Sequence, residues 1–513
     1  MRALRVWLVI MTGGQLVLAS GQTFSRRYDP FGQHYEQVAW DVEPNGENGY
    51  AVTVTTYYDD SVYLYITAAL LRLDAEGQVL TESKMLYGMS SVYAGWANCA
   101  VRANDGGIAI GGATYPPSEI PRAAIVRYAA NGDSLWLREF GEVTQESVGR
   151  QVKQSKDGGY ILCGEINMGG SNDALLLKTD VSGNEEWHRS YGGPGLPDGA
   201  ICVDTTLDDG YYVGGQFRTS QNNKDLWVFR VDGNGDSIWS KRWGTPYDET
   251  YAYLTTLASG NALVAGATGF TQDNAQGRFY MAELGQDDGH FIWQRYYGAV
   301  NIGGLVSVKE VGPGGGAIAG GVYFEPDSTP YFKGSLLRTA ADGDSLWMRN
   351  YFYYDSLISD GYGYFRDVLP TADGGFIACG VTHGCYACDY PPGYEQDAWV
   401  VKVDSMGCLV PGCDGIGTGI TTQITNLREV LAVYPNPVHD EVSVRLTLPG
   451  ALRTRCTVMS IVASDGRVVR NIPWPSGGSV TRVVDIHDLS PGLYTLHVTD
   501  GPTWITGARL IVE

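Results

Sequence analysis

Apolar and polar positions alternate in short blocks between glycine-rich turns, and one block recurs along the first four-fifths of the chain. Its seven copies read NGYAVTV, DGGIAIGG, DGGYILCG, DDGYYVGG, SGNALVAG, GGGAIAGG and DGGFIACG. The turn position falls at Gly49, Gly107, Gly159, Gly210, Asn261, Gly316 and Gly375, a spacing of 51 to 59 residues. An apolar stretch ending on a basic residue follows, as in AAIVRYA, ALLLKTD and DLWVFRVD; the fifth copy has Glu283 there instead. Next come a second turn and a stretch of the form W-x-R/K-x-aromatic-G: WLREFG, WHRSYG, WSKRWG, WQRYYG and, without its glycine, WMRNYF. The first copy is degenerate at this point.

Short apolar runs bounded by Asp-Gly and Asn-Gly read as strands joined in hairpins, because glycine accepts the positive φ of tight turns. Each unit predicts four strands: A before the glycine turn, B after it, then C and D. Seven such units at a period near 50 predict an all-β, seven-bladed β-propeller. The seventh unit ends VDSMGCLVPGC and lacks a strand D. Residues 24–29, FSRRYD, fit that template, with Phe24 for the Trp, Arg26 for the Arg and Tyr28 for the aromatic. The propeller is thus expected to be closed by the N-terminal strand, leaving no open edge between its ends. Trp136, Trp187, Trp239, Trp293 and Trp347 share one repeat position and are expected to pack between blades.

The pattern changes after residue 415. A small, polar stretch at 416–430 reads as a linker, and 431–513 holds short alternating strands that suit an Ig-like β-sandwich. At the other end, Arg2 and Arg5 precede an apolar run from Trp7 to Ala19, then Ala19, Ser20 and Gly21. This reads as a signal peptide at 1–21, which places the propeller at 22–415. No later run reaches the roughly 18 apolar residues of a membrane span. Export means an oxidising compartment, where cysteines pair.

Charge narrows the partners. The formal charge is -21, yet residues 431–513 hold seven Arg and seven Asp or Glu, so the acidity belongs to the larger module. An acidic surface repels phosphate backbones and anionic lipid, which excludes nucleic acid as a partner.

Three motifs in the last module carry a resemblance: VYPNPVHDEVSV at 433–444, DGRVV at 465–469 and DLSPGLYTLHV at 488–498. The segment resembles the type A C-terminal sorting domain of the type IX secretion system of Bacteroidota. The motif residues are Tyr434, Pro435, Asn436, Pro437, Gly492 and Tyr494; the tail RLIVE departs from the lysine-rich ends common in the family. The resemblance implies export across both membranes, an extracellular or surface-attached product, and the type IX machinery and its sortase as partners. Processing would fall within 414–432.

Candidate chemistry is sparse. The seven histidines are scattered and form no H-E-x-x-H, and no G-x-S-x-G elbow occurs. Neither a metal nor a cofactor is expected. Asp232 to Asp236, DGNGD, has the spacing of a calcium-loop start but reads as a β-turn, since Trp243 stands at the twelfth position. Carboxylates recur just before strand A, at Glu36, Glu146, Asp198, Glu249 and Asp360. They either ring the channel mouth or accept hydrogen bonds from a neighbouring backbone. Aromatics crowd the B–C and D–A connections of units 6, 7, 1 and 2, and Tyr57, Tyr58, Tyr354, Tyr386, Tyr390 and Tyr394 form a candidate ligand face. Cys385 with Cys388, and Cys408 with Cys413, are expected to form disulfides; Cys99, Cys163, Cys202 and Cys379 sit in strands and read as core residues.

The reading is a secreted, surface-displayed, non-catalytic binding or adhesion module for glycan or protein. The competing readings are a polysaccharide lyase or hydrolase using the carboxylates as acid and base, and a quinoprotein-like propeller. The adjacent Cys-Cys pair of quinoprotein dehydrogenases is absent.

Overall fold

The computed structural model describes residues 23–30, 36–46, 49–59, 64–88, 90–116, 120–220, 223–269, 277–301, 303–324, 332–353, 362–383, 396–409, 421–425, 430–448, 457–463, 467–475, 479–500 and 503–513. Among them every extended element is a β-strand, and the fold is all-β and propeller-like. No helix of the described residues is long and apolar enough to cross a membrane.

Unit 3 gives the plan. Ser147–Gln154, Tyr160–Asn167, Asn172–Thr179 and Glu185–Tyr191 pair antiparallel in chain order as strands A to D. Units 1, 4, 5 and 6 repeat that order within 38–84, 199–243, 253–301 and 305–353. Unit 1 keeps a strand D, Val79–Lys84, although its sequence there is degenerate. In unit 2 strand A is split into Ser91–Ala94 and Ala100–Arg102. Unit 7 supplies Tyr362–Pro370, Phe376–His383 and Asp397–Val403, and its fourth strand is Phe24–Tyr28, in register from Phe24 opposite Lys402 to Tyr28 opposite Ala398.

Burial follows this order. Ile108–Tyr115, a strand B, is buried at every position but its last, because a neighbouring sheet covers each face. Ser237–Trp243, a strand D, alternates exposed and half-buried positions, as the outermost strand of a sheet should.

One contact is repeated between successive sheets. A Cβ added to the C–D turn glycine would meet the strand-D ring of the preceding unit: Gly183 that of Trp136, Gly235 that of Trp187, Gly289 that of Trp239, Gly343 that of Trp293 and Gly407 that of Trp347, all at 2.7–3.0 Å. These glycines have φ between 69° and 83°, a region that favours glycine, and a side chain there would also crowd the ring. Phe24 stands in the same relation to Gly77, at 2.7 Å. Units 1 and 7 also share a core cluster that includes Phe24, Tyr28, Val42, Val52, Cys379 and Val400.

The basic residue closing strand C pairs with the A–B turn. Arg127 bonds Asp105, Lys178 bonds Asp157 at 2.7 Å, Arg230 bonds Asp208 at 2.6 Å and Lys402 bonds Asp373. Unit 5 reverses the polarity, with Asn261 Nδ2 donating to Glu283 Oε1 at 2.7 Å.

Residues 431–513 form a two-sheet sandwich. Leu431–Tyr434, Glu441–Leu446 and Val480–Asp485 make one sheet; Thr457–Ala463, Val468–Trp474, Gly492–Asp500 and Thr503–Val512 lie in the other. Val442, Val444, Met459, Ile461, Leu496, Val498 and Leu510 fill its core. The stretch read as a linker contains a strand, Thr421–Thr425. It pairs in parallel with strand D of unit 6 and, at Thr422 and Gln423, with Thr503 and Trp504. An outer strand leaves a row of unpaired backbone groups, and here the connecting segment covers them.

Candidate functional site at the channel mouth

The innermost strands carry a shared irregularity. In units 1, 3, 4, 6 and 7 the A–B register slips by one residue, leaving Trp40, Arg150, Ile201, Val306 and Arg366 out of the ladder. Such a bulge re-aims a side chain without ending the strand. In units 3, 4, 6 and 7 a strand-B glycine opposite makes room for it. A Cβ on Gly164, Gly215, Gly321 or Gly380 would lie 1.9–2.1 Å from a carbonyl oxygen of its strand A.

The residue after each bulge is buried and bonds to the next sheet. Asp41 Oδ2 accepts from Ala100 N at 3.0 Å, Gln151 Oε1 from Val203 N at 2.6 Å, and Asp367 Oδ2 from Val42 N at 3.2 Å. Ser307 Oγ donates to Asp367 Oδ1 at 2.6 Å. Lys309 of unit 6 donates to Asn98 Oδ1 of unit 2 at 2.6 Å, so the inner strands converge on one centre. Burial pushes the carboxyls of Asp41 and Glu43 above the usual carboxylate range, and the neighbouring Asp367 adds to this in both. Burial opposes the Lys309 charge, yet Asp367, Glu43, Asp41 and Asp204 outweigh it and raise the ammonium pKa.

Nearer the D–A connections the centre turns aromatic. Trp40 and Trp96 rings lie 5.3 Å apart. Arg366 sits 4.8 Å from the Trp40 ring centre, 5.0 Å from Trp96 and 4.5 Å from Tyr364. Arg150 lies 5.7 Å from Trp96 and pairs with Glu165 at 3.1 Å. Tyr93 and Tyr115, 4.7 Å apart, extend the aromatic surface, and Tyr57 lies near Tyr93. Four units thus contribute rings or cations to one spot. Stacked rings and a guanidinium can hold a sugar or peptide segment by apolar contact and directed hydrogen bonds.

The residues singled out in the sequence fare differently. Tyr57 is half-buried at the end of a strand B and Tyr58 follows it in the same strand. Tyr354, Tyr386, Tyr390, Tyr394, Asp360, Cys385, Cys388 and Cys413 lie outside the described residues. Glu36 and Glu146 are exposed. Asp198 is buried, its oxygens accepting from Gly193 N at 2.7 Å and Arg218 N at 2.8 Å. Glu249 is buried too, its Oε1 accepting from Thr245 N at 3.0 Å and Gly269 N at 3.1 Å. Burial drives the Glu249 carboxyl up to about 7 against these hydrogen bonds. Asp232 Oδ1 accepts from Asn234 N and Asp236 N at 2.9 Å, closing an ordinary turn.

Cys99, Cys163, Cys202 and Cys379 are buried free thiols, and burial raises the pKa of each. A thiol so shifted is a poor nucleophile and serves as a small core residue. Cys408 is buried beside the end of strand C in unit 7.

In the sandwich, the motif residues hold the chain end. Asn436 Nδ2 donates to Arg509 O at 2.8 Å, and its Oδ1 accepts from Ile511 N at 2.9 Å. Tyr434, Pro435 and Pro437 flank this clamp. Tyr494, two residues past Gly492, donates its hydroxyl to Ser490 O at 2.8 Å and pins the S-P-G turn.

Residues 432–513 match the secretion system C-terminal sorting domain, and the chain is a type IX secretion sorting-domain protein. That domain directs export to the cell surface or the extracellular space. No curated protein matches the chain. Among solved structures, an ulvan lyase of a new polysaccharide lyase family aligns with 9% identity and a TM-score of 0.43, over 75% of this chain and 97% of that one. A protein of unknown function from Dyadobacter fermentans aligns with 9% identity and a TM-score of 0.40, over 74% and 97%. Another, from Bacteroides caccae, gives 12% and 0.34, over 62% and 94%. Likenesses this low carry no inference about activity.

Proposed function

We propose that the chain is an exported, surface-displayed binding module. In this reading seven blades close into a ring through the N-terminal strand, and the D–A side of the channel binds an extracellular glycan or protein without turning it over. The observation that carries the proposal is the convergence of Trp40, Trp96, Tyr364 and Arg366 from three units. A rigid scaffold that brings unlike side chains from several strands to one end provides a site; a purely structural centre needs only the repeated ones.

Support for closure is the Phe24 ring against Gly77, which repeats the contact of Trp347 with Gly407. Support for a non-catalytic role is that the described carboxylates before strand A are either exposed or bonded to backbone. Tyr354, Tyr386, Tyr390 and Tyr394 would extend the ligand face from the loops of units 6 and 7, with a Cys385–Cys388 disulfide stiffening the unit 7 loop and Cys408–Cys413 pinning the chain where the ring closes; a non-reducing peptide mass spectrum finding these thiols free would remove that part.

A screen of the full-length chain on glycan arrays and extracellular proteins tests the proposal. Saturable binding is expected, and it should weaken when Trp40 and Tyr364 are both changed to Ala. Turnover of a polysaccharide with no stable binding would sink it and favour the enzyme reading.

A further inference from the structure

Among the described residues Arg366 has neither a carboxylate partner, as Arg150 and Arg230 have, nor the backbone carbonyls that Arg338 bonds. Arg150 pairs with Glu165 at 3.1 Å and Arg230 with Asp208 at 2.6 Å. Among the described residues no carboxylate lies within salt-bridge distance of Arg366; its Nε is buried without a hydrogen-bond partner, as are those of Arg150 and Arg230, but those two have a carboxylate on another guanidinium nitrogen. Its neighbours are three rings, at 4.5–5.0 Å. A ring face offers a cation its quadrupole but no lone pair, so it leaves the planar N–H donors unused. A guanidinium with free donors in a partly dry setting fits a carboxylate or sulfate in bidentate geometry.

The position adds to this. Arg366 is a bulge residue, held out of the ladder between Phe365 and Asp367, and Tyr364 precedes it on the same strand. Tyr115, 38% exposed, and Tyr93 lie toward the same end. Rings beside a fork of donors suit a pyranose, whose C–H face stacks while its acidic substituent points along the ring plane.

We propose that Arg366, held between Trp40, Trp96 and Tyr364, receives the carboxylate or sulfate oxygens of an acidic sugar at the channel mouth. This rests on the binding-module reading and names its ligand class. The chain's charge of -21 repels polyanions at long range. Selection must therefore come from this short-range contact.

The test is titration calorimetry of the full-length chain with polygalacturonate and its methyl ester, a sulfated galactan and its desulfated form, and polyglutamate. Tight binding of one acidic glycan is expected, with its neutral form weaker by roughly tenfold or more. Which acidic glycan binds separates carboxylate from sulfate. Arg366→Gln should lose roughly tenfold to hundredfold on that glycan, and Arg366→Lys part of it, with unchanged thermal midpoints. Should Arg366→Gln fail to fold, the acidic-to-neutral ratio on the unaltered chain and the Arg366→Lys variant still decide. Equal affinity for acidic and neutral forms, undiminished binding by Arg366→Gln, or equal affinity for polyglutamate would overturn the inference and leave the binding-module reading standing. Absence of binding to every glycan and protein in the wider screen would remove both.

Discussion

The Tyr28 hydroxyl donates to the Gly77 carbonyl at 2.8 Å, joining the strand Phe24–Tyr28 to the C–D turn of unit 1. Tyr191 does the same to Gly235, Tyr297 to Gly343 and Tyr351 to Gly407, each at 2.6 Å. The N-terminal strand therefore makes the bond that strand D makes elsewhere, between the last unit and the first. Removing a buried hydroxyl that leaves a carbonyl unpaired costs about 1–3 kcal/mol. Tyr28→Phe and Tyr351→Phe should each lower the thermal midpoint by a similar amount. Wild-type stability for Tyr28→Phe alone, measured by calorimetry, would show that this contact contributes nothing.

Unit 5 offers a test of the strand-C pairing. Asn261 Nδ2 and Trp293 Nε1 both donate to Glu283, at 2.7 Å and 2.8 Å. Glu283→Lys places an ammonium against two donors, and a loss of about 1–3 kcal/mol is expected. Ser259 stands where unit 3 has Asp157. Adding Ser259→Asp should recover part of that loss by rebuilding the usual acid–base pair. A double-mutant cycle with zero coupling would refute the explanation.

Glu249 should make stability depend on pH. Burial lifts its carboxyl from 4.5 to about 7, so the fold favours the protonated acid. Its contribution is complete below the unfolded value and is lost as pH rises through the folded one. The thermal midpoint should therefore fall as pH goes from about 4.5 to about 7, and Glu249→Gln should flatten that slope. An unchanged slope in the variant would assign the pH dependence elsewhere.

Asn436 ties the sorting motif to the last strand by two hydrogen bonds. Asn436→Ala should loosen Thr503–Val512 and reduce surface delivery, and deleting 431–513 should abolish it. Surface proteolysis of cells expressing each form reads this out. Unchanged delivery after the deletion would contradict the export route.

The repeat was legible because its parts are chemically demanded at fixed offsets. A tight turn needs glycine, the strand-D ring needs a glycine to lie on, and a buried cation at the end of strand C needs a turn carboxylate. Phe24 and Tyr28 could be assigned to unit 7 for the same reason. The mouth was hidden because the bulge position holds Trp40, Arg150, Ile201, Val306 and Arg366, a set with no common chemistry. Its one signal is a glycine at a fixed position of strand B in units 3, 4, 6 and 7, as Gly164, Gly215, Gly321 and Gly380, which marks where strand A kinks. The spacing of Asp198 and Glu249 suited either a channel group or a backbone acceptor, and each caps backbone N–H groups close by. Linear spacing cannot tell a carboxylate aimed at a channel from one folded back on its own loop.

The central claim is that this exported chain binds and does not turn over its ligand. The direct measurement is to incubate the full-length protein with each polysaccharide found in the binding screen, following bound fraction and polymer length together. The account predicts a saturable isotherm, with polymer length unchanged over hours. Shortening of the polymer without a stable complex would contradict it.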